Sequence, residues 1–246
     1  MKTSLLIFRH YFRRALIDPL GLIMLTVVPI ALILLNVYVF SANAEIELIN
    51  GYCAMATGNT IMIMVMFQFF GGMYINEWIH EDFRGAQRWR LFSAPVSQGK
   101  FVFSAAIASW LITITQGLLL IAFSTLVLNA YWGNFLFWIP AILAISLISQ
   151  LMYIIIALFT KTKRSAEAVG HGLTFGMALL GGIMFIQIDF LERIPTPMST
   201  AIRAIGYSSS MFDHDMGIAT TNLLILTGFL VVFAAAAVIS GRRRKI

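Results

Sequence analysis

Residues 77–100 read EWIHEDFRGAQRWRLFSAPVSQGK, the only long polar run in a chain otherwise made of successive apolar segments. Glu77, Glu81, Arg84 and Arg88 recur at i, i+4, i+7 and i+11, and Trp78, Ile79, Phe83, Ala86 and Trp89 gather on the opposite side. That spacing is the pattern of an amphipathic helix. Its acids come first and its bases last, the order the helix dipole favours, and Ser93 and Pro95 end it. The expectation is one helix with its aromatic face on a membrane surface, or on the undersides of spans, and its charged stripe turned to the cytoplasm. A connector that simply stays solvated has a similar composition, so periodicity alone leaves both readings open.

The rest of the chain decides the fold class. Of its 246 residues 59% are hydrophobic and only 11% charged, and the mean hydropathy is +0.86. In a soluble domain about a quarter of the residues are charged. A spanning helix needs about 20 apolar residues to cross roughly 30 Å of hydrocarbon. Six runs qualify, at about 20–40, 54–76, 101–128, 135–159, 166–188 and 219–240. The class is therefore all-α, a polytopic membrane protein forming one transmembrane domain over residues 1–246.

Residues 1–18 set Leu5, Phe8, Phe12, Ala15 and Leu16 against Arg9, His10, Arg13 and Arg14, the pattern of an interfacial helix on the cytoplasmic leaflet. Ala42-Asn43-Ala44 imitates a signal-peptidase site, but the preceding apolar run exceeds the usual 7–15 residues or so of a signal peptide. With both ends inside, every one of the 17 lysines and arginines except Arg193 and Arg203 falls on the cytoplasmic side. Glu45, Glu47, Asp189, Glu192, Asp213 and Asp215, more than half of the 11 acids, fall outside. This split obeys the positive-inside rule, and it explains the net charge of +6 without a nucleic-acid partner.

Several side chains invite functional readings. Ala168, Gly172 and Gly176 place small residues on one face of the fifth run, which suits either a dimer seam or packing within the chain. Asn59, Gln68 and Gln116 are costly facing lipid, so they line a path or bond between helices. Met62, Met64, Met66, Phe67, Phe69 and Phe70 suit a greasy cavity wall or a lipid-facing surface. His171 reads as a packing residue. One cysteine, Cys53, and four scattered histidines offer no metal-ligand spacing. Residues 189–215 mix two prolines with helical periodicity and read as short helices dipping into the outer leaflet.

The acidic residues, Arg84-Gly85, a basic-aromatic turn and Leu91-Phe92-Ser93-Ala94-Pro95-Val96-Ser97 together resemble the cytoplasmic loop between the second and third spans of type-2 ABC transporter permeases. Ala86 stands where that family usually has Thr. In that family the loop carries the coupling helix that sits on the ATPase subunit, and the segment before the last span forms an outer re-entrant hairpin. The resemblance covers nearly the whole chain, in the order lead-in helix, six spans, coupling loop and outer hairpin.

It implies coupling to an ATPase through Glu81, Arg84, Gly85, Arg88, Phe92 and Pro95. It also implies two ATPase subunits and a second permease subunit, identical or paralogous. No G-x-x-x-x-G-K-[ST] occurs here, so ATP and its Mg are expected on the partner and no cofactor in this chain. The implied function is export of a hydrophobic or amphipathic substrate (a drug, peptide antibiotic, lipid or lipid-linked glycan) across a bacterial cell membrane by alternating access. A non-transporting immunity or sensor protein would use the same scaffold. An intramembrane hydrolase is the third reading, opposed by the lack of a G-x-S-x-G nucleophile motif or any other catalytic residue set.

Overall fold

The computed structural model describes residues 2–41, 48–49, 52–86, 88–93, 96–180, 194–209 and 214–243. After α1 (Lys2–Ile17), Pro19 starts α2 (Pro19–Leu22), where its fixed φ suits the first helical position. A π-helical turn (Ile23–Val27) carries α2 into α3 (Val28–Ser41). A two-residue antiparallel pair, β1 (Leu48–Ile49) with β2 (Tyr52–Cys53), follows where the sequence reading placed only a connecting loop. The remaining helices are α4 (Ala54–Phe70), α5 (Met73–Arg84), α6 (Arg88–Phe92), α7 (Gln98–Leu128), α8 (Phe135–Phe159), α9 (Lys163–Leu180), α10 (Pro197–Gly206) and α11 (Met216–Arg243).

Among the described residues five stretches are long and apolar enough to cross a membrane: Pro19–Val39, Ala56–Arg84, Gln98–Leu128, Phe135–Phe159 and Met216–Arg242. The expected fifth of six spans begins as α9, and residues 181–188 of that run lie outside the described residues. Helix α8 is the hub, packing against α4, α5, α7, α9, α10 and α11. It buries Ile142, Ile145, Ile148, Met152 and Tyr153. Helix α10 is held at its start by a reciprocal cap: Thr196 Oγ1 accepts from the Ser199 amide (3.0 Å), and Ser199 Oγ accepts from the Thr196 amide (2.9 Å). It buries Met198, Ala201, Ile202 and Ile205 among α4, α8, α9 and α11. Of the segment read as an outer hairpin, only residues 194–209 and 214–215 are described.

One sequence expectation is corrected here. The stretch 77–100 is not one helix. Helix α5 starts within the second apolar run, at Met73, and ends at Arg84, because Gly85 turns to an extended conformation (ψ 177°) before α6 begins at Arg88. A side chain at Gly85 would collide with the Glu81 carbonyl, so glycine permits this close exit. Glu77 and Glu81 therefore do not share a continuous stripe with Arg88. In α1 the buried face is Ile7, Tyr11 and Ala15, spaced by four, while Leu5, Leu6, Leu16 and Ile17 are exposed. Helix α1 packs along α7, which leaves the leucine-rich edge outside the protein's own core.

Between α4 and α5 the chain breaks at Gly71–Gly72, a glycine pair of the kind that kinks helices. Ser149 Oγ of α8 donates to the Phe69 carbonyl (2.6 Å) and accepts from the Gly72 amide (3.1 Å). Ser109 Oγ of α7 donates to the Gly71 carbonyl (3.1 Å). Neighbouring helices thus satisfy the backbone groups that the kink frees, which an apolar interior requires. Side chains at Gly71 and Gly72 would run into Thr113 and into Ser149 and Tyr153, respectively, so the three helices meet here at backbone distance.

Candidate functional site

Helix α5 buries Tyr74, Ile75, Trp78, Ile79 and Phe83, which turns Glu77, Glu81 and Asp82 to a half-exposed face. Each acid is met from a distant part of the chain. Arg14 of α1 pairs with Glu81 and with Asp82 (3.2 Å). Tyr11, a turn earlier on α1, donates its hydroxyl to Asp82 Oδ2 at 2.6 Å. Lys163, the first residue of α9, reaches Glu77 at 2.5 Å and Glu81 at 3.0 Å. On the same turn His80, buried, has Nε2 3.3 Å from Thr160 Oγ1 just before α9. Beneath the charges, Tyr11, Trp78 and Tyr74 form a row of rings with centroids 5.1 and 5.5 Å apart.

Burial, followed by the hydrogen bond to Asp82, pushes the Tyr11 hydroxyl far above the ordinary tyrosine range, so it stays a donor. Burial works against the Lys163 ammonium, but Glu77 and Glu81 outweigh it and hold its pKa above the usual lysine value. A raised lysine stabilises the fold fully below its unfolded pKa, and the contribution fades only as pH climbs through the folded value. Lys163 therefore stays charged throughout the neutral range. Isolated exposed pairs are worth about 0.2–1 kcal/mol; Glu81, shared between two cations, makes this one a network.

The sequence-selected residues fall in three places. Glu81 sits inside the clamp. Arg84 and Arg88 are exposed on either side of Gly85, and α6 presents Trp89 (62% exposed) and Phe92 (48%). Pro95 lies outside the described residues. Gln68 and Gln116 meet each other: Gln68 Nε2 donates to Gln116 Oε1 and to the Thr113 carbonyl, both at 3.0 Å, fastening α4 to α7. Asn59 stands apart from them, on the wall of a cavity of about 1220 Å³ between the first span, α4, α5 and α9. Met62, Met66, Phe67 and Phe70 line that cavity, whereas Met64 and Phe69 are fully buried in the core. The sequence reading missed Asp18 and Tyr74 on the same wall, where His171, read as a packing residue, also lies beside Phe70. Ala168 and Gly172 are exposed and Gly176 is half-buried, and a methyl group added at either glycine would meet open space. Gly170, which the sequence did not single out, is the tightly packed glycine of α9, against the Tyr153 ring.

Long apolar helices wrapped around a buried hub, with their charges gathered at helix ends, define a multi-pass membrane protein. Its sequence matches the family model described as ABC-2 type transporter over residues 3–195, most of the chain. The chain therefore belongs to that family and is a type-2 ABC transporter permease, the membrane component of a system whose ATPase is a partner. A search of curated proteins finds none that matches.

The clamp predicts energetic coupling between helices far apart in sequence. In a double-mutant cycle of Lys163→Met and Glu77→Gln, the coupling energy from thermal or denaturant unfolding in detergent should be about 0.5–1 kcal/mol. Strictly additive effects would show that Lys163 and Glu77 do not sense each other.

Proposed function

We propose that the chain is the permease subunit of an ATP-driven exporter in the cell membrane, with both termini cytoplasmic, that moves a hydrophobic or amphipathic substrate outward by alternating access. The chain itself catalyses no reaction; ATP and Mg are bound by two partner ATPases. The observation that carries this reading is the position of α6. A short helix with exposed Trp89 and Phe92, flanked by exposed Arg84 and Arg88, follows directly on the helix that α1 and α9 clamp.

A partner pressing on α6 pulls on α5 through the three residues 85–87. Helix α5 carries α1 with it through Arg14 and Tyr11, and α9 through Lys163. Nucleotide-driven motion of the ATPase is thereby converted into movement of whole helices, the differential contact that a switching mechanism requires. The orientation is supported by the charge distribution, since the helix ends at Arg14, Arg84, Lys100 and Lys163 share the basic side. The open face at Ala168, Gly172 and Gly176 suits a second permease copy approaching at backbone distance.

By their exposure on this side of α5, Arg84, Arg88 and the rings of α6 are assigned the contact with the ATPase. Reversing Arg84→Glu and Arg88→Glu together should cut co-purification of the ATPase about a hundredfold at low salt without impairing membrane insertion, since like charges at an interface centre cost several kcal/mol. Equal recovery from the wild-type and reversed proteins at matched expression would move the contact elsewhere. Gly172→Leu should separate paired permeases on size-exclusion chromatography while leaving the monomer folded; unchanged pairing would remove α9 from the seam.

A further inference from the structure

The cavity between the first span, α4, α5 and α9 has one charged end. Asp18, Tyr74 and Glu77 form it, while methionine and phenylalanine side chains, among them Met24, Met66 and Phe70, line the body. Glu77 is already answered by Lys163 at 2.5 Å. Asp18 is not answered: among the described residues no base lies within ion-pair distance of it, and although it stands at the N-cap of α2 its side chain caps nothing. Beside it, Tyr74 is only 5% exposed and its hydroxyl has no hydrogen-bond partner. Gly21 leaves this corner open, since a side chain there would collide with both the Tyr74 hydroxyl and the Asp18 carboxylate.

A buried hydroxyl without a partner is costly unless a ligand completes it, and the half-buried carboxylate beside it sets the sign of the charge such a ligand would carry. The complement of that pair is a cation. The walls favour the same choice, because aromatic faces attract cations and thioethers adapt to irregular apolar bodies. We propose that this cavity binds a membrane-dissolved amphipathic cation, with its apolar body along the Met and Phe wall and its charge between Asp18 and Tyr74. A phospholipid headgroup fits less well. Its ammonium brings a phosphate with it, and among the described residues no lysine or arginine lines the cavity to receive one. That the cation is cargo rests on the exporter reading; that it binds does not.

The test uses the intact permease in lipid nanodiscs, with empty discs as the baseline and two probes of the same shape and opposite charge, tetraphenylphosphonium and tetraphenylborate. Saturable binding is expected for the cation alone. Asp18→Asn should weaken it about tenfold and Tyr74→Phe by a smaller factor, in variants whose unfolding midpoints match the wild type. Adding phosphatidylethanolamine to the discs should not compete. Equal binding of cation and anion by the wild type, which depends on no variant, would overturn the proposal. So would an unchanged affinity in Asp18→Asn, or competition by phosphatidylethanolamine, which would make this a lipid site. ATPase co-purification is read on the same preparations. Cation binding without a bound ATPase refutes the exporter reading alone, and a bound ATPase without cation binding refutes the cation site alone.

Discussion

The acidic face of α5 is the constraint on which the rest of this permease depends. Three carboxylates on adjacent turns would repel one another if left alone, and they are held together by cations delivered from both sides: Arg14 on the helix that opens the chain and Lys163 at the start of α9. The opposite face of α5 is packed, with Ile75 fully buried and Trp78, Ile79 and Phe83 nearly so. A helix gripped electrostatically on one face and by close packing on the other moves as a body or not at all. What it moves is determined by those same contacts.

The break at Gly71–Gly72 complements this grip. Where α5 meets α4, the main chain is bonded to serines of α7 and α8 rather than only to itself. A swing of α5 would be felt at once by the hub helix α8 and by α7, which carries the Gln68–Gln116 contact with α4 two turns beyond Ser109. The cavity lies on the other flank of the same unit. Its charged end is built from Tyr74 and Glu77 of α5 and Asp18 of the first span, so any tilt of α5 changes the shape of that corner.

Much of the fold was legible in the sequence because hydrophobic run length and the distribution of bases are global signals. Six apolar runs were expected, and the described residues supply five stretches long and apolar enough to span, together with the opening of the remaining run as α9. The central stretch was read only in part. Its period of charges looks continuous from Glu77 to Arg88, and nothing local warns that Gly85 leaves the helix, since that exit depends on how closely Gly85 approaches the Glu81 carbonyl. The charges were visible too, but not their partners. Arg14 and Asp82 are 68 residues apart and Lys163 and Glu77 are 86 apart, separations at which no periodicity operates. The same limit explains α1, where Tyr11, with its hydroxyl bound for Asp82, was overlooked. For the cavity, Asn59 and the Met and Phe wall were in view, while Asp18 and Tyr74 become a pair only once the first span is laid against α5.

The linkage of α1, α5 and α9 into one moving unit is tested most directly by distances between spin labels in the assembled transporter. Labels at Arg13→Cys on α1, Arg164→Cys on α9 and Val238→Cys on α11, in a Cys53→Ser background, would be measured in pairs with the ATPase empty and then trapped with ATP. If the clamp joins the helices, the mean distance from 13 to 164 stays constant while the distances from 13 and 164 to 238 both change. A 13-to-164 distance that changes as much as the other two would show that α1 and α9 part during the cycle, and that the acidic face of α5 does not bind them into one body.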